Sequence, residues 1–172
     1  KGLPRDNEQS YYYFMMENLF SHINVPKDHI HVLSGTAVDP EKECADYEKM
    51  IDEAGGIDLQ ILGIGRNGHI AFNEPAADFA PVTHVVELTP STIEANTRFF
   101  SSSDEVPKKA LSMGIGSIMK AKAIVIIATG KDKAEAVKAM IQGPVTPSCP
   151  ASVLQLHPNV VVMLDKEAAS LL

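Results

Sequence analysis

The run Ala123-Ile124-Val125-Ile126-Ile127-Ala128 contains no polar side chain. Successive strand residues point to opposite faces, so such a run is a strand buried on both sides, the usual state of a parallel sheet flanked by helices. Ile57 to Ile64 predicts a central strand of the same kind. Val82 to Leu88 and Val160 to Leu164 predict two more, and His31-Val32-Leu33 a short one. Helical patterns fall between them. One runs from Asn7 to about Ile23, capped by Asp6 or Asn7. Another opens at Asp39-Pro40 and stops at Gly55-Gly56. Shorter helices are expected from Ser91 to about Asn96, after Gly114 and Gly116, from Asp132 to about Gln142, and at the tail.

This alternation implies one α/β domain over residues 1–172. Its expected architecture is a three-layer α/β/α sandwich around a mostly parallel, Rossmann-like sheet. At 172 residues and 45% hydrophobic content the chain can bury one core. A net charge of −7 argues against a nucleic-acid partner or an anionic membrane surface. No apolar stretch approaches the roughly 20 residues of a membrane span. Cys44 and Cys149 match neither a metal spacing nor a disulfide framework and are expected to be plain thiols in a reducing compartment. The Tyr11-Tyr12-Tyr13 run reads as core and rim of a helix rather than a stacking platform. Lys1-Gly2-Leu3-Pro4, with no initiator Met, reads as the interior of a longer protein.

After the central strand comes Gly63-Ile64-Gly65-Arg66-Asn67-Gly68-His69-Ile70-Ala71-Phe72-Asn73-Glu74-Pro75. Gly63, Gly65 and Gly68 spell G-x-G-x-x-G, and Glu87 lies near the place of a ribose-binding acid. Dinucleotide binding also needs a long helix opening at the third glycine. Pro75 leaves room for less than two turns and disfavours helix in the residue before it, so NAD is not expected. The glycines instead permit left-handed backbone and close approach of a ligand to the main-chain amides.

Within that loop His69 is the acid/base candidate, because imidazole titrates near neutrality and can take and return a proton. Glu74 could fold back onto the imidazole, and Asn67 could orient a partner without titrating. Lys133, following Gly130 at a helix start, suits a phosphate or a solvated surface equally well. Arg98, before Phe99-Phe100, could reach a phosphate or merely cover apolar surface. His29 and His31 alternate at the start of the short strand, but with no third ligand they read as surface residues. His22, His84 and His157 form no constellation. Residues 101–108 are expected to form a mobile loop, and 144–150 a proline-rich one.

The run Leu62 to Pro75 resembles the signature of the glucosamine-6-phosphate deaminase family. Related phosphogluconolactonases share the fold and the Gly-His but lack Phe-Asn-Glu-Pro. The similarity extends through Gly2-Leu3-Pro4, Ser10-Tyr11, Asn96-Thr97-Arg98-Phe99-Phe100, Val106-Pro107, Gly114-Ile115-Gly116, Gly130-Lys131-Asp132-Lys133 and Leu154-Gln155-Leu156-His157-Pro158. The resemblance implies conversion of glucosamine 6-phosphate and water to fructose 6-phosphate and ammonia, in the cytoplasm and without cofactor or metal. His69 would then open the ring, with Glu74 tuning it and Asn67 orienting the relay. Arg98 and Lys133 would hold the phosphate, against the backbone of Gly65 and Gly68.

Two departures qualify the resemblance. The family's enolising Asp belongs to an Asp-Glu-Tyr-x-Gly-Leu motif, of which Lys1-Gly2-Leu3 matches only the end. A phosphate loop would lie further upstream. Residues 1–172 alone are therefore expected to be nearly inactive. The allosteric members place basic residues where His84 and Val86 stand here, so no activation by the N-acetylated sugar phosphate is expected. The implied state is a monomer or small homo-oligomer. The alternative is a sugar-phosphate sensor on the same fold, which would have no need of a proton relay.

Overall fold

The apolar run Ala123–Ala128 is strand β4, the middle strand of a three-stranded parallel sheet. It lies between β1 (Leu59–Gly63) and β5 (Val160–Leu164). The register sets Leu62 beside Ile126, and Ile126 beside Val162. This computed structural model describes residues 1–172, and every side chain except those of Ala95 and Ser103. The chain divides into two compact units, Lys1–Tyr47 with Val85–Leu111 and Glu48–His84 with Ser112–Leu172.

The second unit holds the parallel sheet and its core. Ile124, Ile126 and Ala128 point to one face, where Ile115 and Ile118 of α4 (Ile115–Met119) and Ala136, Val137 and Met140 of α5 (Ala134–Gln142) cover them. Ile118, Ile124 and Val137 have no solvent-exposed surface. Burying an aliphatic side chain of this size contributes about 1.5–3 kcal/mol, so these contacts set the stability of the unit. The opposite face is also apolar, as the uninterrupted sequence requires. Leu59, Ile61, Ile127, Val161 and Met163 are exposed on it, Ile61 at 62%. The mostly parallel sheet with flanking helices agrees with the α/β expectation.

The first unit contains α1 (Tyr11–Asn18), most of α2 (Pro40–Glu53), α3 (Pro90–Thr97), and most of a two-stranded sheet of β2 (His84–Glu87) and β3 (Lys109–Ser112). Helix α1 is shorter than expected, and its cap is Ser10, whose Oγ accepts the Tyr13 amide at 3.0 Å, rather than Asp6 or Asn7. Helix α2 matches its signals: Asp39 Oδ1 accepts the Lys42 amide at 2.9 Å, and Gly55 and Gly56 end it with positive φ.

His31-Val32-Leu33 is not a strand. No ladder forms there, and His29 closes a 3-10 turn (Lys27–His29) instead of alternating with His31. The tail after Asp165 forms turns rather than a helix. Among the described residues no helix is long and apolar enough to cross a membrane.

Candidate active site

Strands β1 and β4 are neighbours and parallel, so their carboxyl ends lie side by side, where open α/β sheets bind ligands. The loop of residues 64–75 leaves β1 there, and the turn of residues 129–133 leaves β4. Both belong to the second unit.

The glycine loop closes on itself. Gly65 N donates to His69 O at 2.9 Å, and Gly68 N to Gly65 O at 3.0 Å. Residues 69–75 form turns and a single bridge, Ile70 to Asn73, where a dinucleotide site would need a helix. Glu87, the residue at the ribose-binding spacing, pairs instead with Lys109 at 2.9 Å. Gly65 is required by contact rather than by backbone angle. A Cβ built on it would lie 2.4 Å from His69 Cε1, 2.5 Å from Nε2 and 2.6 Å from Nδ1, so the imidazole rests directly on the glycine. Gly68 needs both properties: its φ is +82°, and its outer side abuts Cys149 Sγ.

His69, Glu74 and Asn67 meet as the sequence suggested. His69 Nδ1 donates to Glu74 Oε2 at 3.3 Å, and Asn67 Nδ2 donates to the same oxygen at 2.7 Å. Asn67 Oδ1 accepts the His69 amide at 3.2 Å. The side chains of His69 and Glu74 are 19% and 8% exposed, so the pair sits away from bulk water. With Nδ1 carrying the proton toward Glu74, Nε2 is left as the acceptor.

Burial pushes the His69 pKa below its ordinary value; the Glu74 carboxylate opposes that fall and the Lys133 ammonium adds to it. Neutral imidazole is therefore favoured near pH 7, the form a proton acceptor needs. The folded pKa lies below the unfolded one, so this group's stability contribution is fully present above the ordinary imidazole pKa. It is lost as pH falls toward the depressed folded value. Glu74→Gln removes the raising influence. Its expected result is a further fall in the His69 pKa, with the acid limb of the rate profile moving to lower pH, as a kcat–pH series would record.

The Lys133 ammonium is near enough to His69 to help lower the imidazole pKa. It caps α5 at the end of a 3-10 turn (Lys131–Lys133) that follows Gly130, whose φ is +89°. Arg66 Nε donates to Asp132 Oδ2 at 2.7 Å and ties the glycine loop to that turn. Arg98 lies in the first unit, at the C-terminus of α3, with its guanidinium 4.7 Å from the centre of the Phe99 ring.

Several supports had no sequence signal. The proline-rich segment backs the loop: Ala151 N donates to Gly68 O at 2.9 Å, and Ala76 N to Pro147 O at 3.2 Å. Ser112 Oγ accepts the Phe72 amide at 3.0 Å. His157 is structural, with Nε2 donating to Ala121 O at 2.8 Å and Nδ1 accepting the Asn159 amide at 3.1 Å.

Residues 2–163 match the model of the family described as glucosamine-6-phosphate isomerases/6-phosphogluconolactonase. The chain belongs to this family. Among members of the isomerase/lactonase family, the chain is 60% identical over 171 residues to a glucosamine-6-phosphate deaminase of Alkaliphilus oremlandii. That alignment covers 99% of this chain and 71% of the relative. A solved structure of a monomeric glucosamine-6-phosphate deaminase superposes with a TM-score of 0.96 at 47% identity, covering 99% of this chain and 71% of that one. A 6-phosphogluconolactonase from Trypanosoma cruzi superposes at 0.73 with 22% identity, covering 98% of this chain and 68% of that one. That likeness extends to the fold alone.

Proposed function

We infer that this chain carries the ring-opening and phosphate-binding chemistry of an enzyme that converts glucosamine 6-phosphate and water to fructose 6-phosphate and ammonia. The observation that favours a deaminase over a lactonase is Glu74. Its carboxylate takes His69 Nδ1 and Asn67 Nδ2 on one oxygen, and a lactonase-like loop without Phe-Asn-Glu-Pro would not provide that group.

His69 Nε2 accepts the proton of the anomeric hydroxyl. The ring C–O bond breaks as the carbonyl forms at C1, and the same proton passes to the ring oxygen. Glu74 stabilises the imidazolium between those two transfers, and Asn67 keeps the carboxylate in place. The later movement of a proton from C2 to C1 and the release of the amine are not assigned to residues of this chain. Lys133, at the dipole-favoured start of α5, takes the substrate phosphate. The amides of Gly65 and Gly68 donate to His69 O and Gly65 O, so against expectation these glycines shape the loop and seat the imidazole rather than donate to the sugar phosphate. The reaction is one of cytoplasmic amino-sugar breakdown, performed by a monomer or small oligomer.

Product analysis on the whole protein, rather than on residues 1–172 alone, tests this reading: equal amounts of ammonia and fructose 6-phosphate are expected from glucosamine 6-phosphate. Consumption of 6-phosphogluconolactone with no ammonia would overturn it. Lys133→Met tests the phosphate assignment. A hydrogen bond to a charged group contributes about 1.5–3 kcal/mol, so KM is expected to rise roughly 10–100-fold. The His69 pKa is expected to rise with it, since a cation that lowers it is gone. An unchanged KM would remove Lys133 from the phosphate site.

A further inference from the structure

Between His69 and Glu74 the chain makes a strained turn. Ala71 has φ +50°, in the left-handed region that residues with side chains rarely adopt. Asn73 N donates to Ile70 O at 3.1 Å and closes the turn. Such a conformation costs on the order of 1–3 kcal/mol and persists only where its surroundings over-determine it.

Asn73 does most of that. It is 5% exposed, and both of its amide hydrogens are used: Nδ2 donates to Ile70 O at 3.0 Å and to Met113 O at 2.9 Å. One bond stays within the turn, and the other pins it to the residue after β3. Ser112 Oγ, holding Phe72 N, is a second staple from the same segment. Asn73 Oδ1 is buried and has no hydrogen-bond partner among the described residues. A buried acceptor left unmade is costly, and turning the amide over would set its oxygen against two carbonyl oxygens. The side chain is thus held in the orientation that serves its two donations, at the expense of its acceptor.

The next residue is Glu74, whose Oε2 must meet both His69 and Asn67. We propose that Asn73 is the positioning residue of the proton relay, its side-chain amide clamping the turn of residues 70–73 to the 112–113 segment so that the Glu74 carboxylate arrives at His69 Nδ1. The Asn73 amide hydrogens go to Ile70 O and Met113 O, so its effect on His69 passes through Glu74. The kinetic part of this proposal rests on the deaminase reading; the spectroscopic part does not.

The experiment compares the wild-type enzyme with Asn73→Leu, which keeps the branching but has no donor and no charge, and with Ser112→Ala. Labelled-histidine NMR follows the His69 titration, and steady-state kinetics give kcat and KM. In Asn73→Leu the His69 midpoint is expected to fall, as in Glu74→Gln. Its kcat is expected to fall about 10–100-fold with KM within about threefold, since misplacement of a reacting group by about 1 Å can cost 10² in rate. Joined to Glu74→Gln, it is expected to move the midpoint no further, because the two changes act on one interaction. Ser112→Ala is expected to move kcat and the midpoint the same way by less, and it carries the test if Asn73→Leu does not fold. A wild-type His69 midpoint in whichever of the two variants folds overturns the proposal, as does full additivity with Glu74→Gln. If the whole wild-type protein releases no ammonia, the deaminase reading fails, while the His69 midpoints still decide the role of Asn73.

Discussion

His69→Asn is expected to lower kcat for glucosamine 6-phosphate by about 10²–10⁴-fold, the usual contribution of a positioned acid/base. Asparagine keeps a polar side chain in the loop but cannot carry a proton between the anomeric hydroxyl and the ring oxygen. The residual rate is then limited by whatever open-chain sugar forms spontaneously. KM is expected to change little, since His69 is not assigned to the phosphate. Stability is expected to be held or slightly raised, because burial already disfavours a charged imidazole at this position. Steady-state kinetics beside thermal melting separate these effects. A fall in activity matched by a collapse of melting temperature would point to a structural histidine instead.

Gly65→Ala comes next. The new methyl group would lie within 2.6 Å of three imidazole atoms, well inside contact distance, so the ring must leave its position over residue 65. Gly65 does not have positive φ, and the damage is confined to that contact. A displacement of about 1 Å is enough to cost roughly 10² in kcat. The expected signature is non-additivity: once His69→Asn has removed the ring, Gly65→Ala should cost little more. A wild-type kcat in Gly65→Ala would show that the ring position is irrelevant to turnover.

Much of this site was legible because it is local. Asn67, His69 and Glu74 lie within eight consecutive residues of a loop that Pro75 keeps from becoming a helix, so their meeting follows from short-range geometry. Strand β4 was legible because an uninterrupted apolar run has few other uses in a chain with helices on either side. Strand β3, Lys109–Ser112, was not, since Lys-Ala-Leu-Ser has neither alternation nor β-branched residues, and pairing with β2 makes it a strand. His31-Val32-Leu33 failed in the opposite sense: its composition suits a strand, but no ladder forms there. The staples from Ser112 and Met113, and the proline-rich segment behind Gly68, join residues 40 or more positions apart. No sequence period encodes such contacts. Pro150 was expected at the end of a proline-rich loop and Leu154–Leu156 only as part of the family similarity, but Pro150–Leu156 forms a 3-10 helix whose Ala151 amide holds Gly68.

The central claim is that His69, supported by Glu74, opens the sugar ring. Ring opening is also the step that interconverts the α and β anomers of glucosamine 6-phosphate. Magnetisation-transfer NMR between the two anomeric signals, with wild-type enzyme and then with His69→Asn at the same concentration, therefore measures it directly. Accelerated exchange with the wild type, lost in His69→Asn, is the predicted result. Equal acceleration by both proteins would contradict it.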